Sequence, residues 1–225
     1  MPELDAAAIF PRFFPFWERL TIAQRGALTE GAACHSYPKG ANIHGGTNDC
    51  AGILLVLSGE LRTYMLSEEG REVTLYRMQA GDVCVMSAGC ALTAITFEVR
   101  IDAASDCELC VIQPKAFDRV QRENIYVEAF AYRQVTERFS DVMWAMQQIL
   151  FMSFDKRLAV FLLDEVGRSG GDTIKFTQEE IARYLGGARE SVTRMLKYFQ
   201  QEGLVSLSRG GVTVLNRKGL RKLLA

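Results

Sequence analysis

Between Cys34 and Ile112 the chain alternates apolar and polar positions in short runs, among them GILLVLSG, ELRTYML, EVTLYRM, GDVCV, FEVRIDA and ELCVI, each bounded by turn residues. Alternation over about four to eight residues marks strands with one buried face, and many such strands at this spacing predict an antiparallel sandwich or barrel. The stretch SEEGRE, residues 67–72, separates two of these runs, and Gly70 supplies the positive φ that a tight hairpin needs.

After Pro114 the period changes. Residues 115–150 contain neither Gly nor Pro and carry helical spacing, which predicts one long helix with a short one before it. Tyr132, Val135, Phe139, Val142, Met146 and Ile149 recur at alternating intervals of three and four, the seam of a helix that pairs with a twin. The same pattern also suits a helix packed on its own domain. A second stripe through Phe130, Met143 and Leu150 allows both, one face on the sheet domain and one on a partner. Ser153 is placed to cap a new helix, so residues 151–154 form a candidate hinge.

Further on, Thr177 and Glu180 have the spacing of a capping box, in which the hydroxyl and the carboxylate each satisfy an amide at the helix start. The helix begins at Gln178, ends at Gly186–Gly187 and is followed by RESVTRMLKYFQQEG. In that second helix Val192, Met195, Leu196 and Phe199 share an apolar face, while Arg189, Glu190, Thr193, Arg194 and Lys197 share a polar one. Two short runs, LVSLS and VTVLN, meet at a glycine turn with Arg209 at its start, which predicts a wing.

Charge sharpens this picture. The formal net charge is −1, yet residues 172–225 carry ten Lys/Arg against five Asp/Glu and the rest sixteen against twenty-two. The excess is compatible with a polyanion partner, and it also fits a solvated surface. No apolar run approaches the roughly 20 residues of a membrane span. The acidic, proline-interrupted N-terminus is unlike a signal peptide, so the expected compartment is the cytoplasm and no membrane partner is expected. The six cysteines, at 34, 50, 84, 90, 107 and 110, are then expected to be free thiols.

Residues 176–216, FTQEEIARYLGGARESVTRMLKYFQQEGLVSLSRGGVTVLN, resemble the winged helix–turn–helix of the CRP/FNR family of bacterial transcription regulators. Upstream, residues 37–82 are similar to that family's cyclic-nucleotide-binding-type barrel, including the turns at Gly59, Gly70 and Gly81–Asp82. The resemblance covers about residues 33–217. It implies an α+β fold with an N-terminal antiparallel β-barrel of jelly-roll, cupin-like type, a long dimerisation helix and a C-terminal winged helix–turn–helix. The expected divisions are residues 1–122, 123–153 and 154–225. Family members with Arg-Glu-x-x-x-Arg at the start of the recognition helix read a TGTGA-like half-site, and the resemblance carries that role to Arg189, Glu190 and Arg194. Physically, an arginine forks onto guanine O6 and N7, and a glutamate accepts from the cytosine amine. A surface pair between Glu190 and Arg194 is the competing reading. Thr193, Lys197, Thr177 and Arg209 complete the candidate contacts. Ala188 stands where many relatives have a Ser or Thr cap.

The sensor is less legible. Cyclic-AMP-binding relatives hold a Gly-Glu pair and an Arg-Ser pair after Gly-Asp; here the corresponding residues are Val85–Met86 and Phe97–Glu98. An apolar ring beside a carboxylate repels a cyclic phosphate, which argues against cyclic AMP. Cys84, Met86, Cys90 and Phe97 are therefore the effector candidates. Cys84 and Cys90 flank VMSAG, whose small residues allow the sulfurs to approach for redox or metal chemistry, against the plainer role of core packing. Cys107 and Cys110 in CELC point to opposite faces of a strand and make a poor metal pair, although one buried structural thiol is expected. Only His35 and His44 are available as haem histidines, and His44 is read as an ordinary surface or hydrogen-bonded residue. No cofactor follows from these residues.

These readings combine into a non-enzymatic homodimeric regulator on palindromic double-stranded DNA, controlled by a small-molecule or redox effector, with RNA polymerase contacts implied by the family. The alternative is a cupin-like metal-dependent enzyme with an accessory helix–turn–helix. Two histidines nine residues apart give that enzyme a weak ligand set.

Overall fold

The computed structural model describes residues 5–45, 51–85 and 99–224. It divides into two compact units, Met1–Met65 with Leu75–Val142, and Leu66–Thr74 with Met143–Ala225.

The first unit opens with α1 (Ala6–Phe13), a 3-10 turn (Trp17–Arg19) and α2 (Ile22–Glu30). Helix α2 starts at a Thr21–Gln24 capping box. The strands follow: β1 (Ala32–Tyr37), β2 (Asn42–His44), β3 (Ile53–Ser58), β4 (Glu60–Leu66), β5 (Glu72–Gln79), β6 (Val83–Cys84), β7 (Arg100–Ala103) and β8 (Cys107–Ile112). They form two four-stranded sheets, β1-β8-β3-β6 and β2-β7-β4-β5. The fold is α+β as expected, with its strands in a two-sheet sandwich: among the described residues the sheets do not close into one hydrogen-bonded cylinder. At the predicted hairpin the Ser67 amide donates to the Arg71 carbonyl at 2.8 Å, and Gly70 has φ 78.

The unbroken apolar run of β3 has a direct cause. Ile53 and Leu55 face one core with Phe10, Phe14, Phe117 and Val127, whereas Leu54 and Val56 face a second core with Leu61, Met78, Ile101 and Leu109. Covered on both faces, this strand loses the polar alternation of a half-exposed one. Strand β8 follows the same rule: Cys107 enters the second core and Cys110 the first, so the CELC cysteines do point apart.

One expectation is overturned here. Cys34 and Cys110 are joined by a disulfide with their Cα atoms 4.0 Å apart, where free thiols were expected. The cause is register, since β1 pairs antiparallel with β8 and sets Cys34 directly opposite Cys110. They are 76 positions apart in the sequence, and that spacing holds no hint of it. His44, read as an ordinary surface or hydrogen-bonded residue, is buried.

After β8 come α3 (Pro114–Glu123) and the long helix α4 (Ile125–Phe151). Val127 and Ala131 of α4 enter the first core, and Phe130 meets Phe14 and Phe16 edge-on with ring centroids 5.9 and 5.1 Å away. Arg138 projects from the same face onto Asp82 (3.1 Å) and Asp141 (3.0 Å) and lies 5.2 Å from the Tyr76 ring centroid. Burial works against the charge of Arg138, and the two carboxylates outweigh that effect and hold it protonated.

The second unit contains α5 (Phe154–Ser169), β9 (Thr173–Ile174), α6 (Gln178–Leu185), α7 (Arg189–Gln201), β10 (Val205–Ser208), β11 (Gly211–Val214) and α8 (Arg217–Lys222). Ser153 occupies the cap position of α5 but makes no side-chain capping hydrogen bond. A single core collects Leu158, Leu162, Ile181, Val192, Leu196 and Phe199 with Val205, Val212 and Leu220. The sheet order is β10-β11-β9; the two-residue β9 is too short to register as an alternation. Helix α6 begins on the predicted capping box: the Glu180 amide donates to Thr177 Oγ1 at 3.1 Å, and the Thr177 amide donates to Glu180 Oε2 at 2.8 Å. Thr177→Ala is expected to lower the stability of this unit by about 0.5–2 kcal/mol, read as a reduced midpoint in urea with an unchanged slope.

Candidate nucleic-acid interface

Helix α6 ends on Gly186 at φ 61, ψ 36, a left-handed cap that glycine adopts without the penalty of a Cβ. Two residues later Ala188 takes the N-cap position of α7 and offers no side-chain cap. The buried face of α7, through Val192, Leu196 and Phe199, fixes the rotation of the helix about its axis. Its opposite face is thereby held outward.

On that face Arg189, Glu190, Arg194 and Lys197 are exposed, and among the described residues none of the four enters an ion pair. The Glu190–Arg194 surface pair is thus not formed. They line one open groove together with Thr193, Tyr198 and Gln201. Tyr198 and Gln201 were missed in the sequence, although Tyr198 lies four residues after Arg194 and so follows the same helical row. Thr193 is directed differently: its hydroxyl is within donating distance of Gln178 Oε1 and of the Arg189 carbonyl (2.9 Å), tying α7 to α6.

A second shallow cleft brings Thr177, Gln178 and Arg189 together with Ser208, Gly210 and Gly211 of the wing. The start of both helices and the β10–β11 turn therefore converge, and Arg209 sits exposed at that turn. Backbone amides at a helix start with no side-chain cap favour an anion, so this edge suits phosphate while the α7 face suits base edges. A helix of this kind presents its N-terminal side chains to the major groove.

The effector candidates are reached only in part. Cys84 is buried on β6 opposite Leu54, in the core between the two sheets, and carries no disulfide. Met86, Cys90 and Phe97 lie outside the described residues, as does Cys50. Tyr76, near Cys84, is held as a neutral phenol because burial pushes its pKa well up. Among the described residues no group of three or more His, Cys, Asp and Glu side chains gathers into a metal site. Among the described residues no helix is long and apolar enough to cross a membrane.

The predicted seam of α4 separates into two sets. Tyr132, Phe139, Met146 and Ile149 are exposed, with Phe139 at 64%, whereas Val135 and Val142 are half-buried against the two cores. Of the second stripe, Phe130 is packed inward and Met143 and Leu150 are exposed.

Comparison with known proteins agrees with these elements. Residues 34–124 match the model of the cyclic nucleotide-binding domain, and residues 156–223 that of the Crp-like helix–turn–helix domain. A relative from Pasteurella multocida, a cAMP-activated global transcriptional regulator CRP, is 26% identical over 179 residues, covering 76% of this chain and 85% of the relative. A crystal structure from Eubacterium rectale, assigned to the crp/fnr family of transcriptional regulators, is 45% identical with a TM-score of 0.91, covering 95% of this chain and 99% of that one. FixK2 from Bradyrhizobium japonicum shares the fold at 20% identity, with a TM-score of 0.69 over 86% of this chain and 98% of its own. This pair of domains belongs to non-enzymatic DNA-binding regulators and disfavours a cupin-like enzyme. Two domain matches in the right order and 45% identity along nearly the whole of both chains place the protein in the CRP/FNR family of transcription regulators.

Proposed function

We propose that this regulator binds DNA as a homodimer, reading a palindromic TGTGA-like site with Arg189, Glu190 and Arg194 of each protomer. The observation that carries the reading is that these three exposed side chains on the outward face of α7 enter no ion pair among the described residues. They are therefore available to base edges. Lys197, Thr177 and Arg209 serve as flanking contacts, with Thr193 steadying α7 through Gln178. Tyr132, Phe139, Met146 and Ile149 form the protomer-to-protomer seam, with Val135 and Val142 behind them. Residues 1–122 act as sensor, 123–153 as dimer helix and hinge, and 154–225 as DNA reader. The working compartment is the cytoplasm, where the genome and RNA polymerase are found.

Control comes from the sheet domain. Arg138 ties α4 to Asp82, the first residue before β6, so any ligand that moves the segment following Asp82 pulls on the helix. A ligand of this kind acts only through a difference in affinity between the DNA-competent state and the other. Cyclic AMP is not that ligand, because Val85–Met86 and Phe97–Glu98 replace the pairs that hold the cyclic phosphate in relatives. The effector is a small molecule or a redox signal.

Fluorescence anisotropy with a labelled TGTGA palindrome and a scrambled duplex tests the DNA reading. The palindrome is expected to bind about a thousandfold or more tightly, with a steep loss of affinity as salt rises. Equal binding to both duplexes, or none, would sink it.

A further inference from the structure

We propose that Cys34 and Cys110 are a reversible dithiol–disulfide site through which a thiol oxidant alters DNA binding. The proposal deepens the functional reading above and rests on it for its DNA arm. It assigns the redox input to a pair that the sequence had not joined.

Three observations carry it. First, the fold itself apposes the two sulfurs: the β1–β8 register sets Cys34 directly opposite Cys110 with Cα atoms 4.0 Å apart. Second, the two residues differ in access. Cys34 is half-buried and Cys110 fully buried, which gives one sulfur to an incoming oxidant and shelters the other as its resolving partner. The other described cysteines, Cys84 and Cys107, are both buried and unbridged. Burial, helped by Asp106, raises the Cys107 thiol and keeps it protonated. Third, a regulator working beside the genome sits where thiols are kept reduced, and a disulfide in that compartment is usually transient.

The chemistry balances with a low-molecular-weight disulfide as oxidant. The Cys34 thiolate attacks one sulfur of that disulfide, forming a mixed disulfide and releasing one thiol. Cys110, as thiolate, then attacks Sγ of Cys34, forming the internal bond and releasing the second thiol. Two protein thiols are oxidised, one small disulfide is reduced to two thiols, and a dithiol reductant reverses both steps.

The site also has a route outward within its own unit. Among the described residues β1 is an edge strand, bonded to β8 within its sheet, and the bridge clips it there. β1 follows α2, and Cys34 and Cys110 belong to the same core as Phe14, Phe16, Val127 and Ala131. Phe14 and Phe16 pack on Phe130 of α4, and Nδ2 of Asn124, just before α4, donates to the Arg19 carbonyl at 3.0 Å. Loosening or clipping β1 thus bears on the base of the dimer helix.

The test uses the full chain, reduced with dithiothreitol or treated with oxidised glutathione, in two arms. Alkylation of free thiols with peptide mapping reads the bond, and anisotropy on the TGTGA palindrome reads DNA affinity. The expected result is that oxidised glutathione protects only Cys34 and Cys110 from alkylation, dithiothreitol restores both, and affinity differs at least about fivefold between the states. Cys34→Ala, at the half-buried position, is expected to fold normally, retain DNA binding and abolish the difference, and Cys110→Ala to do the same. Bridging of other cysteines, or a bond that dithiothreitol does not open, would overturn the site. An equal affinity in both states would overturn its regulatory role. Reversible bridging with no DNA binding in either state would uphold the couple and contradict the DNA reading, so the two failures are distinguishable.

Discussion

Arg189→Ala is expected to remove discrimination at one base pair of each half-site while leaving preference at the others in place. A bidentate arginine–guanine contact contributes about 1–3 kcal/mol of discrimination. A dimer makes the contact twice, so the palindrome is expected to weaken by about 2–6 kcal/mol, from roughly thirtyfold to more than ten-thousandfold. The position of Arg189 motivates this, because it opens α7, is exposed and has no ion-pair partner among the described residues. The measurement is anisotropy on a set of duplexes substituted one base pair at a time. A guanine substitution that weakens the wild type and leaves Arg189→Ala unaffected identifies the partner base. If the variant instead lost affinity equally on every duplex, Arg189 would be a phosphate contact. Lys197→Ala is the useful contrast, expected to weaken all sequences alike and reduce the salt slope by about 1.

Phe139→Glu is expected to convert the dimer to monomer at working concentrations and abolish tight binding to the palindrome. Phe139 is 64% exposed at the centre of an apolar row on α4 that includes Tyr132 and Met146. Covering a phenylalanine is worth about 1.5–3 kcal/mol, and twofold symmetry counts it twice. Removing both therefore weakens association at least about a hundredfold, and the two carboxylates left facing each other across the seam add to the loss. Sedimentation of the variant would show a monomer with the circular dichroism of the wild type. A variant that stayed dimeric would place the interface elsewhere.

What the sequence disclosed follows from where each signal resides. Helix α6 was read to the residue because its start depends on Thr177 and Glu180, three positions apart, and its end on Gly186. The outward set on α7 was equally local, since Val192, Leu196 and Phe199 dictate which side chains face away. The long helix was clear from its uninterrupted period. Its seam was harder, because periodicity does not say which neighbour covers which stripe: Val135 and Val142 lean toward the cores while Phe139 stays outside. The Cys34–Cys110 bond was out of reach, being a product of strand register across 76 residues. Ser153 had the right residue type for a cap and does not form the bond, as cap identity alone does not fix side-chain direction. Of the effector candidates Cys84, Met86, Cys90 and Phe97, only Cys84 falls within the described residues.

A symmetric dimer that reads two half-sites through α7 responds to the distance between them, which a series of duplexes with varied TGTGA half-site spacing measures. Two recognition helices on one twofold axis demand half-site centres about one helical turn apart, roughly 10–10.5 base pairs or a multiple. One dimer per duplex and an affinity maximum at that spacing are expected, with a loss toward non-specific binding half a turn away. Binding that does not respond to spacing, or one protomer per half-site with no preference for the pair, would contradict it.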